Sequence, residues 1–91
     1  MYESTFKNCY MEGADFSCAR FGQVSFINTD LTKADFENAT LSELGFHNVN
    51  LSYANLRGAK KIDEVTFKDV IFHKTIMPDG SIRTDRDELE I

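Results

Sequence analysis

Large apolar side chains recur at every fifth position along most of the chain. Small side chains recur with the same period, two residues before each large one, as at Ala14, Ala34 and Ala54. The other three positions of each block of five are mostly polar. The large apolar series between residues 6 and 56 is Phe6, Met11, Phe16, Phe21, Phe26, Leu31, Phe36, Leu41, Phe46, Leu51 and Leu56. One large and one small side chain in each block are therefore expected to face an interior.

A period of five fits neither an α-helix, which repeats every 3.6 residues, nor a flat strand, which repeats every two. It fits a chain that turns a corner after each block and so points the same position inward on every side. Four sides return the chain to its starting face after about 20 residues, and successive coils then lie about 4.8 Å apart, joined by parallel backbone hydrogen bonds.

Positions 20 residues apart carry matching side chains, as stacked coils require. One inward column contains only phenylalanine: Phe6, Phe26, Phe46 and, after one extra residue, Phe67. One outward column predicts a ladder of side-chain amides: Asn8, Asn28, Asn48 and Asp69. The register slips by one within residues 57–61, which predicts a bulge. Beyond it, the inward series is expected to resume with Phe67, Phe72, Met77 and Ile82.

Four blocks carry a recognisable motif: residues 14–17 (ADFS), 34–37 (ADFE), 39–42 (ATLS) and 54–58 (ANLRG). They resemble the pentapeptide repeat, A-(D/N)-(L/F)-x-x, and the resemblance extends over residues 4–82. It implies an all-β fold, a right-handed quadrilateral parallel β-helix of about four coils. We expect this β-helix to occupy residues 1–82 and a short charged C-terminal tail to occupy residues 83–91.

The overall charge narrows the classes of partner. The chain has 91 residues, with 15 acidic and 10 basic side chains and a net charge of −5, which disfavours direct binding to nucleic acid. No apolar run approaches the roughly 18–20 residues of a membrane span, and the first residues do not show the pattern of a signal peptide. Cys9 and Cys18 are expected as free thiols. We therefore expect a cytoplasmic protein without membrane contact.

The sequence contains no motif that predicts catalysis or cofactor binding, such as a glycine-rich phosphate loop or a paired Cys-x-x-Cys. His47 and His73 fall on different sides and coils, whereas a metal site needs three or four converging ligands. A β-helix also fills its own interior, leaving no pocket for a substrate. We therefore expect no enzyme activity, no catalytic residue, no cofactor and no metal.

Two surfaces are candidates for binding other molecules. The first is an acidic patch, which comprises Glu12, Asp15, Asp30, Asp35 and Glu37. It is interpreted either as a docking surface or as an ordinary solvated face, since an aspartate before the large residue belongs to the repeat itself. The second is the exposed first coil, where uncapped backbone edges invite pairing in a homodimer. Its predicted end-to-end interface comprises Phe6, Met11, Phe16 and Phe21. Alternatively, Met1 and Tyr2 fold over the opening and the chain stays monomeric.

Two functions remain open at this point. The first is a non-enzymatic scaffold or protein-interaction module whose partner the sequence does not identify. The second is implied by the resemblance, because some pentapeptide repeat proteins imitate duplex DNA and occupy the DNA site of type II topoisomerases, which protects gyrase. The short tube argues against this alternative, because about four coils of 4.8 Å match only about six base pairs.

Overall fold

Short strands stacked one coil apart make up nearly the whole fold. The computed structural model describes residues 2–87. Its strands are β1 (Thr5–Lys7), β2 (Arg20–Gly22), β3 (Ser25–Asp30), β4 (Thr40–Ser42), β5 (Gly45–Asn50), β6 (Thr66–Lys68), β7 (Val70–Ile76) and β8 (Ile82–Asp87). A single turn of 3₁₀-helix, Ile62–Glu64, precedes β6. The pattern of the sequence thus predicts the correct class of secondary structure.

The strands pair in parallel at the predicted step of one coil. Phe6 of β1 pairs with Phe26 of β3, which in turn pairs with Phe46 of β5. On another side Phe21 of β2 pairs with Leu41 of β4. We number the sides 1 to 4 by the first large residue that each contains: Phe6, Met11, Phe16 and Phe21. Three complete coils and a partial fourth follow one another, which confirms the β-helix.

Every corner is made by a residue in the left-handed region of the backbone map. These residues stand two positions after each large inward residue, with φ between 51° and 75°: Asn8, Gly13, Cys18, Gln23, Asn28, Lys33, Asn38, Glu43, Asn48, Tyr53 and Gly58. The N–H of Ala34 donates to the Leu31 carbonyl at 3.0 Å, and the N–H of Ala39 to Phe36 at 3.0 Å. A positive φ at the third residue of such a turn is the geometry of type II.

The corner between sides 1 and 2 carries the amide ladder that the sequence predicts. Nδ2 of Asn48 donates to Oδ1 of Asn28 at 2.7 Å, and Nδ2 of Asn28 donates to Oδ1 of Asn8 at 3.2 Å. Asparagine tolerates the left-handed conformation better than most residues, because its short polar side chain can bond locally. The ladder therefore joins three coils at a corner that its residues also favour locally.

The interior is filled by the predicted columns of side chains. The rings of Phe6 and Phe26 stack at a centroid distance of 5.0 Å, and those of Phe26 and Phe46 at 5.7 Å. The small residues Ala34 and Ala54 are fully buried beside the large ones. Leu44 is large where small residues are usual, yet it is also buried. The tube is thus a packed core with no channel through it.

The predicted slip in register lies within the expected stretch and involves one residue. Lys60 pairs with Thr40, 20 residues earlier, whereas Thr66 pairs with Gly45, 21 residues earlier. Lys61 lies between these two pairings and adopts a φ of 64° just before the 3₁₀ turn. The extra residue is therefore accommodated at the last corner of the third coil.

The prediction that Ile82 continues the inward series is wrong, because its side chain is 60% exposed. The chain reverses direction at Met77–Ser81 instead of turning another corner, and β8 runs antiparallel to β7. The N–H of Gly80 donates to the Met77 carbonyl at 2.8 Å, and the N–H of Met77 donates to the Ser81 carbonyl at 2.7 Å. The parallel coils thus end at side 3, and residues 88–91 of the predicted tail lie outside the described residues.

The packed interior predicts a contrast between two neighbouring substitutions. Ala34→Phe introduces a ring where the side chain is fully buried, and is expected to destabilise the fold by about 1–3 kcal/mol or more. Glu37→Phe, on the outward face of the same side, is expected to change stability by no more than about 0.5 kcal/mol. Chemical denaturation of both variants measures the difference, and equal losses would contradict the inward and outward assignment.

Candidate functional site

The acidic patch lies on two adjoining sides of the first two coils. Asp15 and Asp35 pair directly in consecutive coils of side 3, and Glu37 follows on the same side. Glu12 and Asp30 lie on side 2, where Asp30 pairs with an exposed tyrosine of the first coil. Carboxylates that occupy equivalent positions in neighbouring coils are separated by roughly the strand spacing of 4.8 Å. The helix thus concentrates negative charge that is spread out in the sequence.

Three of these carboxylates also build the turns that hold them. Oδ1 of Asp15 accepts hydrogen bonds from the N–H of Ser17 at 2.9 Å and from its hydroxyl at 2.6 Å. Asp30 accepts the same pair of bonds from Thr32, at 2.9 and 2.6 Å. Asp35 accepts the N–H of Glu37 at 2.9 Å. The carboxylates are therefore oriented before any partner arrives.

The third coil performs the same turn chemistry without negative charge. Asn50 and Asn55 replace the aspartates, and their Oδ1 atoms accept the N–H of Ser52 at 2.9 Å and of Arg57 at 3.0 Å. The turn needs a side-chain oxygen and does not need a charge. This turn role is missed by the sequence analysis, although a serine or threonine two residues after Asp or Asn is its signal.

The turn bonds also affect ionisation. The hydroxyl of Ser17, together with its backbone N–H, lowers the pKa of Asp15 below its ordinary value of 3.8. Bonds from Ser81 lower the pKa of Asp79 in the same way. A hydrogen bond donated to a carboxylate favours its charged form. Asp15 therefore carries its full negative charge at neutral pH.

Basic residues limit the extent of the patch. Lys33 forms the corner between sides 2 and 3 in the second coil, between the two halves of the patch. On side 3 of the third coil, Arg57 follows Glu37 in the same column, and Lys60 and Lys61 come next. The negative surface therefore ends abruptly at the third coil.

The first coil is more exposed than the coils above it, as expected. Phe6, Met11 and Phe16 are only half-buried, whereas their equivalents in the second coil are fully buried: Phe26, Leu31 and Phe36. The prediction that Phe21 is open at this end is wrong, because its side chain is only 1% exposed. The chain rises as it coils, so the fourth side of the first coil already packs against the second.

Phe21 contacts rings of both coils, and Tyr2 leaves the opening uncovered. The ring of Phe21 lies 5.9 Å from Phe36 and 6.2 Å from Phe26, between centroids. Tyr2 pairs with Gly22, and its ring covers the outward surface of that glycine, where a Cβ atom would meet Cδ1 at 2.5 Å. Tyr2 thus lies on the outside of side 4 and does not fold over the core.

The largest surface depression is an open groove of about 510 Å³ along the corner between sides 1 and 2. Its walls are the asparagine ladder on one side and, on the other, Tyr10, Asp30, Asn50 and Ile71. No group of three or more His, Cys, Asp or Glu within residues 2–87 is placed to hold a metal ion. In the same part of the chain, no helix is long and apolar enough to cross a membrane.

The role of Asp35 in its turn predicts how the patch tolerates substitution. Asp35→Asn preserves an oxygen for the Glu37 N–H, as Asn55 does one coil above, and is expected to leave stability almost unchanged. Asp35→Ala removes the acceptor and is expected to destabilise the fold by about 1 kcal/mol. Urea denaturation compares the two, and equal stability would show that the turn bond contributes nothing measurable.

Known proteins share both the repeat and the fold. A family model described as a pentapeptide repeat region matches residues 1–77. The structure is similar to HetL, a pentapeptide repeat protein involved in heterocyst differentiation regulation from the cyanobacterium Nostoc sp. strain PCC 7120, at 25% identity and a TM-score of 0.56 over 87% of this chain. It is also similar to QnrB1, a plasmid-mediated fluoroquinolone resistance protein, at 20% identity and a TM-score of 0.57 over 82% of this chain.

These solved proteins are longer than the chain described here, which spans 43% of HetL and 47% of QnrB1. No curated protein sequence matches the chain significantly. The family model nevertheless covers most of the sequence, and the coils repeat the motif in register. On these grounds the chain belongs to the pentapeptide repeat family.

Proposed function

We propose that the chain is a non-enzymatic protein-interaction module that docks a basic surface of a cytoplasmic protein onto its acidic patch. The observation that carries the proposal is the direct pairing of Asp15 with Asp35, both oriented by turn bonds. Like charges at paired positions of neighbouring strands repel each other. A partner cation placed between them relieves that repulsion, so binding gains electrostatic energy that the free protein lacks.

The rigidity of the sides supports docking of a protein surface. The carboxylates are attached to a hydrogen-bonded sheet, so little backbone freedom is lost when a partner binds. The interior is filled with the chain's own side chains, and the groove is open to solvent. Flat faces of this kind suit a partner that presents an equally flat surface. Their charge also accelerates association with a positively charged partner and makes binding sensitive to salt.

A second candidate is binding to a type II topoisomerase by imitation of DNA, which the family resemblance suggests. The acidic patch favours it in kind. The third coil disfavours it, because Arg57, Lys60 and Lys61 reverse the charge where a duplex would continue its phosphates. A gyrase supercoiling assay with a quinolone tests it, and protection of the enzyme by this chain would favour it over the first proposal.

The experiment compares capture of proteins from a native lysate by three forms of the chain. The first is the unaltered protein, and the second carries Asp15→Asn, Asp30→Asn and Asp35→Asn, which preserve the turn oxygens. The control carries Glu43→Gln, Asp63→Asn and Asp69→Asn, which lie outside the patch and change the net charge equally. Circular dichroism verifies that all three are folded.

We expect a partner that the unaltered protein and the control capture and that the patch variant loses. Its binding should also weaken as the salt concentration rises, because exposed charges are screened within about 8–10 Å at moderate ionic strength. A partner that all three forms capture equally well would contradict the role of the patch. It would return these carboxylates to a purely structural role in the turns.

A further inference from the structure

The first coil leaves a stacking surface and a strand edge without a partner in the described residues. Among residues 2–87, β1 pairs with β3 and with no other strand. The ring of Phe6 begins the phenylalanine column and stacks on Phe26 at 5.0 Å with an interplanar angle of 12°. Its other face has no ring against it among the contacts of the column. An edge strand with an apolar side chain of this kind is a template for pairing with another chain.

The opposite end of the tube is built differently. There β8 pairs antiparallel with β7 and so ends the parallel stack over sides 2 and 3. The guanidinium of Arg83 lies 3.9 Å from the ring centroid of Phe72, and Nε of Arg83 donates to Oδ1 of Asp85 at 2.6 Å. A second copy cannot extend the parallel stack on these two sides. Head-to-tail growth is thereby hindered, whereas contact between two first coils remains open.

We propose that two copies of this chain associate through their first coils, with β1 of one copy antiparallel to β1 of the other across a two-fold axis at Phe6. This register places Phe6 opposite the partner's Phe6, so the column of stacked rings continues through the interface. It places Thr5 opposite the partner's Lys7, so that like charges do not face each other within the strand pair. An interface of this kind closes on itself at two copies.

The size of the end fits a weak dimer. The molecule measures 30 × 26 × 24 Å, so a cross-section of the tube is about 600 Å². Two such ends bury about 1,200 Å² in total, at the lower limit of specific interfaces. The partially exposed Met11 and Phe16 add apolar surface at the same end. We therefore expect a dimer that forms at micromolar concentration and dissociates on dilution.

The chain contains its own matched control for this interface. β1 and β6 have the same sequence, Thr-Phe-Lys, and occupy the same column at opposite ends of the tube. Thr5 and Thr66 are both exposed, so a charge at either position leaves the core intact. Only Thr5 faces a lysine of the second copy in the proposed register. The experiment is sedimentation equilibrium of the full chain and of Thr5→Lys, Thr5→Glu and Thr66→Lys.

The unaltered chain should show a monomer–dimer equilibrium. Thr5→Lys sets a lysine against the partner's Lys7 twice per dimer and should weaken association roughly threefold or more, whereas Thr5→Glu should strengthen it by a similar factor. Thr66→Lys should change it less than twofold. A single 10.4 kDa species in all forms at high micromolar concentration would overturn the proposal. An equal or larger effect of Thr66→Lys, or species larger than a dimer, would overturn it as well.

Discussion

The structure depends on one constraint, which is that the backbone enters the left-handed region once in every five residues. Each such residue turns a corner, so each side has room for one large and one small inward side chain. Four corners return the chain to its first side, and the next coil then meets the first in register. The backbone hydrogen bonds, the stacked phenylalanines and the asparagine ladder all follow from this return. Because most of these corners are not glycine, packing and hydrogen bonds between coils must offset local strain at each of them.

The same constraint organises the surface. An outward residue recurs one coil later in the same column, so chemically similar residues come together although they are far apart in sequence. The acidic patch arises in this way from Asp15 and Asp35, whose oxygens also close the adjacent turns. Asn55 performs the turn function in the third coil without the charge. The aspartates of the first two coils therefore supply something that the turn alone does not require, and we connect that surplus charge with partner binding.

Most of the fold follows from the period of five, because the period itself excludes both regular elements. The columns, the single-residue slip and the amide ladder are predicted correctly, since each is a repeating property. Ile82 is predicted wrongly because the turn around Gly80 is a local event that the period does not encode. Phe21 is predicted wrongly because the rise of the coil is invisible in a pattern that treats its four sides as level. The turn bonds of the aspartates are missed because their signal lies in the serine or threonine that follows.

The most direct measurement of the central claim is the unfolding free energy of two substitutions at one corner, Lys33→Gly and Lys33→Val. Lys33 is exposed and has a φ of 63°. Glycine adopts this conformation without steric penalty, whereas a β-branched residue is strongly disfavoured there. Lys33→Gly should therefore be at least as stable as the unaltered protein and about 1 kcal/mol or more above Lys33→Val. If position 33 were instead an ordinary strand residue, valine would be favoured over glycine, and that result would contradict the account.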